Sequence, residues 1–455
     1  MLSEKIFREY DIRGVVDEDL TEGVVYDIGR GYGSMCKSEG ISRFAVGGDC
    51  RLSTPRLIES VIDGLRSTGG SVINVGIVPT PVLYFALHNL DVQAGFMITG
   101  SHNPPEYNGL KVCKGNKTLF GSQIKDLYDF IIRASFEKGT GTVNQQKIIE
   151  PYIDKVISGI KLDRKIKVIV DAGNGTAGPV APVIFNEIGA EVMEMFTEMD
   201  GNFPNHHPDP TIPENLKASI TEIKKGGWDL ITAFDGDADR LGAVDENGEI
   251  IWGDKLMIIF SREILKKHPG STIIGEVKCS QLLYDDIAKN GGKPIMWKTG
   301  HSLIKEKMKE EHALLAGEMS GHLFFADDYY GYDDAIYAAA RLLQTLSRDD
   351  KSLSRLLEDL PKMYSTPEIR IDTTEEAKWA ITDEIKKQFT GKYDTVDIDG
   401  VRVNFGDGWG LVRSSNTTPV IVMRFEATSL KRLVEIQSLI TDRIETLLKK
   451  YKSDL

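Results

Sequence analysis

No stretch of this chain approaches the ~20 consecutive apolar residues that span a bilayer, and the opening MLSEKIFREY carries charge throughout instead of the apolar centre of a secretory leader. The expectation is a cytoplasmic protein with no membrane partner. Cysteine is scarce: Cys36, Cys50, Cys113 and Cys279 stand far apart and form no CxxC pair. That excludes a zinc knuckle and a disulfide framework, and it fits a reducing compartment. Low-complexity tracts are missing as well, so nothing suggests a disordered arm. Positive charge is in deficit, with 55 lysines and arginines against 68 acids and a net charge of −13. Such a balance speaks against nucleic acid or an anionic membrane as a general partner. An anionic ligand would have to find local basic groups.

What the chain has is length and a repeated pattern. Its 455 residues exceed one compact core and suggest three or four domains. Short apolar, β-branched runs recur, each ending in a polar, glycine-bearing turn: FAVGGD (44–49), VIVDAGNG (168–175), LITAFDGD (230–237) and IIGEVK (273–278). Amphipathic stretches fill the gaps, as in LIESVIDGLRSTG (57–69), where Leu57, Val61, Ile62 and Leu65 follow helical spacing. Strand alternating with helix predicts largely parallel sheets covered by helices, in several similar α/β domains in series. Ligands bind such sheets beyond the carboxyl ends of the strands. Polar or proline-bearing stretches at 137–147, 245–249 and 357–368 divide the chain into units at 1–146, 147–249, 250–361 and 362–455. The last opens on the alternating PEIRIDT. It closes on a long helix with Leu430, Leu433, Val434, Ile440, Ile444, Leu447 and Leu448 on one face, a face whose role is structural.

The polar turns carry the chemistry. In DGDADR (235–240), Asp235, Asp237 and Asp239 alternate at the end of a buried strand, and a loop that curls back aims three carboxylates at one point, the hard oxygen donors of Mg²⁺ or Ca²⁺. An EF-hand is excluded because its sixth place is Arg240, not glycine, and a strand precedes it. Arg240 beside the acids suggests an anionic ligand near the metal. RSSNTTP (413–419) gathers a guanidinium, hydroxyls, an amide and backbone N–H groups at the density a phosphate dianion uses, where the plain alternative is a polar turn. GEMSGH (317–322) offers Glu318, Ser320 and His322 in alternation, suited to the neighbouring hydroxyls of a sugar ring. Finally TGSHNPPEYNG (99–109) holds Ser101 between a glycine and a histidine, with two prolines close behind.

YDIRG, TGSHNPPEYNG, DGDADR, GEMSGH and RSSNTTP together, in this order along essentially the whole chain, resemble the α-D-phosphohexomutase family, most closely its phosphomannomutase/phosphoglucomutase branch. The resemblance implies α/β architecture: four domains around a central cleft, three of them related mixed-sheet α/β units and the fourth a smaller α+β domain. It implies that Ser101 is phosphorylated and acts as phosphoryl donor and acceptor. Asp235, Asp237 and Asp239, with an oxygen on Ser101, would hold Mg²⁺. Arg413, Ser414, Ser415, Asn416 and Thr417 would take the substrate phosphate, and Glu318, Met319, Ser320, Gly321 and His322 the sugar. Tyr10, Arg240, Lys278 and His301 would add substrate contacts, and Arg13, His102 and Lys111 would surround the phosphoserine.

The mechanism so implied is a reversible transfer between O1 and O6 of hexose phosphates, through a 1,6-bisphosphate of glucose or mannose that turns end for end. Turning exchanges O3 with O4, so a loop gripping those two serves both poses and takes little notice of C2, where glucose and mannose differ. Lys111 is the first candidate proton carrier, on the expectation that neighbouring cations lower its pKa. His301 comes second and His102 third. A phosphoglucosamine mutase of the same fold, a Mg²⁺-dependent phosphatase and a sugar-phosphate binder without catalysis are the competing readings. The protein is expected to be a monomer or homodimer that takes no nucleic acid.

Overall fold

The computed structural model describes residues 2–416 and 418–453. In it the four apolar runs become strands at Arg43–Gly48, Lys167–Asp171, Leu230–Phe234 and Thr272–Glu276. All five residues of Leu230–Phe234 are buried, as a strand with both faces covered requires. The amphipathic stretch becomes the helix Thr54–Arg66, which buries Leu57, Ile58, Val61, Ile62 and Leu65.

Each unit has its own sheet. The first, seven-stranded, runs in the order Ile12–Val15, Tyr107–Lys114, Ala94–Ile98, Arg43–Gly48, Ser71–Ile77, Val143–Gln145, with Lys117–Thr118 paired to Tyr107–Lys114. The second is Ile250–Ile251, Leu241–Asp245, Leu230–Phe234, Lys167–Asp171, Glu191–Met195, and the third Lys293–Trp297, Thr272–Glu276, Leu315–Gly317, Leu323–Phe325. The fourth sheet is antiparallel, with Val420–Ala427, Gly408–Ser414 and Val401–Asn404 at its centre.

The first three sheets are less parallel than the alternation of strand and helix predicts. In each, a parallel strand is followed at once by an antiparallel neighbour: Ala94–Ile98 by Tyr107–Lys114, Leu230–Phe234 by Leu241–Asp245, and Leu315–Gly317 by Leu323–Phe325. Connection length decides this, because returning to a parallel position takes a dozen or more residues whereas a short loop closes only a hairpin. The closing loops are 99–106, 235–240 and 318–322. They are three of the polar motifs, so related sheets present their chemistry at equivalent ends.

Two expectations need correction. The division at 249/250 falls inside a hairpin: DENGE is its turn, and Ile250–Ile251 folds back on Ala243 and Val244, which carries the second sheet two residues past 249. The closing helix, Leu430–Ser453, buries Leu433, Ile436, Ile440, Ile444 and Leu447, while Leu430 and Val434 are 60% and 54% exposed. Its inward stripe is rotated from the expected one. Among the described residues no helix is long and apolar enough to cross a membrane.

Candidate active site

A cleft of about 980 Å³ opens where the four units meet, and all four contribute to its wall. Ser101 stands at its base, 3% exposed, with φ of 48°. That left-handed conformation is uncommon for a residue with a Cβ and is kept only where surroundings impose it. The Ser101 amide donates to Thr99 Oγ1 at 2.8 Å, its hydroxyl donates to Asp235 Oδ2 at 2.9 Å, and His102 Nδ1 lies 3.1 Å from the same oxygen. The two loops meet closely because position 236 has no side chain: a Cβ there would lie 2.6 Å from the Ser101 carbonyl.

Asp235, Asp237 and Asp239 are fully buried, with one oxygen of each inside a mutual 4.8 Å. Asp235 Oδ1 accepts from the amides of Asp239 and Arg240 at 3.1 Å, which curls the loop. Thr80 Oγ1 donates to Asp237 Oδ2 at 2.5 Å. Lys111 Nζ reaches Asp237 Oδ2 at 3.1 Å and also Asp239. Asp237 Oδ1 and Asp239 Oδ1 are buried without a hydrogen-bond partner. Burial, then the neighbouring Asp239 and Asp237, push Asp235 far above the usual carboxylate range. Buried acceptors left over and carboxylates crowded against one another are the marks of a site short of positive charge, and a divalent cation fits it.

The expected depression of Lys111 does not occur. Burial opposes its charge, but Asp237, Asp239 and Asp333 together outweigh it and hold the ammonium above its ordinary range. Its neighbours are acids rather than cations. Across the cleft Arg240 Nε donates to His322 Nε2 at 3.0 Å. A guanidinium only donates, so His322 carries its proton on Nδ1, which faces Asp333 Oδ2 at 3.3 Å. His301 stacks on His322 with ring centroids 5.6 Å apart and points Nδ1 to the same carboxylate oxygen at 3.6 Å. Burial, then Lys305, pushes His301 well below the ordinary imidazole value; burial, then Arg240 and Arg13, does the same to His102.

The GEMSGH loop is the hairpin after Leu315–Gly317. Glu318 Oε1 accepts from the Gly300 amide at 2.7 Å and Oε2 from Ser320 Oγ at 3.2 Å. Met319 lines the cleft, and Gly321 at φ 93° makes the tight turn. Lys278 Nζ lies 3.2 Å from Glu368 Oε2. Arg13 pairs with Asp11 at 2.5 Å. Tyr10 donates to the Thr299 carbonyl at 2.9 Å and accepts from Asn416 Nδ2 at 2.6 Å, joining the third and fourth units. Arg413 Nε donates to Asp399 Oδ2 at 2.9 Å, and Ser415 and Asn416 line the cleft beside it.

Ser414 departs from expectation. Alternation along Gly408–Ser414 turns its hydroxyl away from the cleft, where it bonds Thr382 Oγ1 and the Lys378 carbonyl, each at 2.9 Å. Thr417 lies outside the described residues. Thr418 belongs to the RSSNTTP run but had no role of its own, and Arg370, Glu276 and Asp333 were not expected. Thr418 and Arg370 line the cleft, and Glu276 accepts from the Lys278 amide, the Met319 amide and Thr299 Oγ1. The one signal for Asp333 is its place in the aromatic stretch YYGYDDA, which names no chemistry.

The chain matches the family profiles for phosphoglucomutase/phosphomannomutase: alpha/beta/alpha domain I over residues 4–139, domain II over 150–248, domain III over 252–364, and the C-terminal domain over 368–443. It is 47% identical over 445 residues to a phosphomannomutase/phosphoglucomutase of Pseudomonas aeruginosa, covering 98% of this chain and 96% of that one. To a phosphoglucomutase of Neisseria gonorrhoeae it is 46% identical over 442 residues, covering 96% of each. Among solved structures, a phosphoglucomutase/phosphomannomutase family protein of Burkholderia thailandensis superposes with a TM-score of 0.93 at 45% identity, covering 98% of both chains.

Proposed function

This chain belongs to the phosphoglucomutase/phosphomannomutase family, and on that premise we propose that it is a phosphohexomutase, moving a phosphoryl group reversibly between O1 and O6 of glucose and mannose phosphates with Ser101 as the relay. One observation carries the reading: a buried serine hydroxyl meets the edge of a three-aspartate loop at 2.9 Å, at the base of a cleft that ends in arginine and amide donors.

In the first half-reaction the bond between phosphorus and Ser101 Oγ breaks, a bond from phosphorus to O6 of a hexose 1-phosphate forms, and the O6 proton passes to a base. The 1,6-bisphosphate then turns end for end. In the second half the phosphoryl group at C1 returns to Ser101 Oγ, and O1 takes up the proton. Positioning and charge neutralisation are most of such catalysis. Asp235, Asp237 and Asp239 would hold Mg²⁺, which withdraws charge from phosphorus when bound. Glucose or mannose 1,6-bisphosphate serves as the activator that keeps Ser101 phosphorylated.

Arg413, Ser415 and Asn416 hold the phosphate far from Ser101; the Glu318–His322 loop holds two ring hydroxyls, the same pair in either pose. Lys111, kept as an ammonium by its acids, stabilises charge near the transferring group. The imidazole of His301, stacked on His322 and facing Asp333, is the proton acceptor the geometry favours, whereas His322, whose Nε2 already accepts from Arg240, holds it in place. This ordering replaces the one expected from sequence.

The test is turnover of glucose 1-phosphate and mannose 1-phosphate with trace glucose 1,6-bisphosphate, in wild type and Ser101→Ala. Conversion of both sugars by wild type, with loss of at least ~10³-fold in the variant and an intact-mass phosphoryl increment only in wild type, is the expected result. Release of free phosphate as the main product would identify a phosphatase instead, and preference for glucosamine 1-phosphate the sister mutase.

A further inference from the structure

We propose that Arg51 is the positioning residue of the reactive serine: its guanidinium, buried beneath the loop 101–107, fixes where the Ser101 oxygen points. This rests on the relay assigned to Ser101. The Arg51 side chain has no exposure, and all five of its N–H donors are used. Nε donates to Asp49 Oδ2 at 3.2 Å. One terminal nitrogen donates to the carbonyls of Pro104 and Tyr107 at 2.5 and 3.0 Å, and the other to those of Ser101 and Asn103 at 2.8 and 2.6 Å. Three carbonyls of the loop and one at the start of the strand that follows it are thus tied to a single rigid plane.

The plane is itself held on every side. Asp49 accepts from Thr54 and Thr99 hydroxyls and from the Gly100 amide as well as from Arg51. A Cβ on Gly100 would lie 2.4 Å from Arg51 Nε, so the peptide before the serine rests on the guanidinium. The Phe203 ring, from the second unit, covers it at 5.2 Å. None of these groups faces the substrate, yet together they hold Ser101 in its left-handed conformation. A lysine cannot substitute: three donors on one point do not span four carbonyls.

The experiment compares the full chain with Arg51→Lys and Arg51→Met, reading kcat and KM for glucose 1-phosphate and amide hydrogen exchange along 101–107. The expected result is a kcat lower on the order of 100-fold, the size of a 1 Å misplacement, with KM unchanged. Exchange should rise in 101–107 but not in the strand Leu230–Phe234. Wild-type kcat in Arg51→Lys would overturn the proposal, as would a rise in KM with unaltered exchange. If neither variant folds, Arg51 serves the fold as a whole and the assignment falls. Should wild type itself lack mutase activity, the proposed function fails while the exchange readout still decides whether Arg51 holds this loop.

Discussion

Ser101 at φ 48° shows what a reactive side chain demands of its neighbours. The conformation costs energy, and the hydrogen bonds that Thr99, Asp235 and Arg51 make to the residue offset it. Asp334 illustrates the converse, a carboxyl whose burial serves packing. It accepts from Tyr152, Tyr329 and the Tyr337 amide, capping the helix Ala335–Ser347, and burial raises its pKa to about 6. Between its ordinary value of 3.8 and about 6, the folded chain keeps a proton that the unfolded chain has lost, so this group's contribution to stability falls as pH rises through that window, by about 3 kcal/mol in all. Asp334→Asn keeps the cap acceptor and removes the titration. Its stability relative to wild type, from urea midpoints, should therefore improve between pH 4 and pH 7, by up to ~3 kcal/mol. A difference that stays constant with pH would contradict the burial argument.

Hairpin closure after a parallel strand is the unit from which three walls of the cleft are made, and the closing helix holds the antiparallel fourth. Ile440 is fully buried, and Gly410 leaves the space it fills: a Cβ there would lie 2.6 Å from Ile440 Cδ1. Ile440→Ala should destabilise the fourth unit by about 3 kcal/mol, whereas Leu430→Ala, 60% exposed, should stay within ~0.5 kcal/mol. Denaturant unfolding followed by tryptophan fluorescence, to which Trp379 and Trp409 of this unit contribute, checks both, and equal effects would mean that the stripe is wrongly placed. Periodicity alone admits Leu430 and Val434 to that stripe because it locates a face only to within a residue or so at a helix end. The same limit explains what else was legible. Groups that touch a ligand come in short polar runs, and the runs around Ser101, Asp237, Glu318 and Arg413 announce themselves. Arg51, Glu276 and Asp333 act on backbone or side chains brought near only by folding, from positions as distant as Met319 and His322, and no local pattern marks them. Ser414 differs from expectation for a third reason: composition counts hydroxyls, but alternation along a strand decides which way each one points.

A net charge of −13 and an anionic substrate are reconciled by where the charge lies. Eight arginine and lysine side chains line the cleft against five carboxylates, and walls of low dielectric focus that local excess. The excess works only while the third and fourth units stay in register, since Lys278 and Glu318 belong to one and Arg413 to the other. Arg402 clamps them together, beside Arg424, which donates to Asp254 and to the Lys278 carbonyl. Buried at 3% exposure, Arg402 donates to the carbonyls of Val277 and Cys279 at 2.7 Å and to Gln281 Oε1 at 3.1 Å, while its guanidinium lies 3.7 Å from the Trp409 ring centroid. Arg402→Ala leaves those buried carbonyls without a donor and removes the stacked plane, so the fourth unit should sample open positions in which Arg413 no longer faces Lys278. Ser101 and the aspartate loop belong to the first two units and should keep their geometry. The variant should therefore raise KM for hexose phosphate about tenfold, equivalent to roughly 1.4 kcal/mol of lost binding, with a much smaller change in kcat. Faster hydrogen exchange along 277–281 and 402–411 should accompany it. A fall in kcat at constant KM would place the effect in the first two units and remove Arg402 from this role.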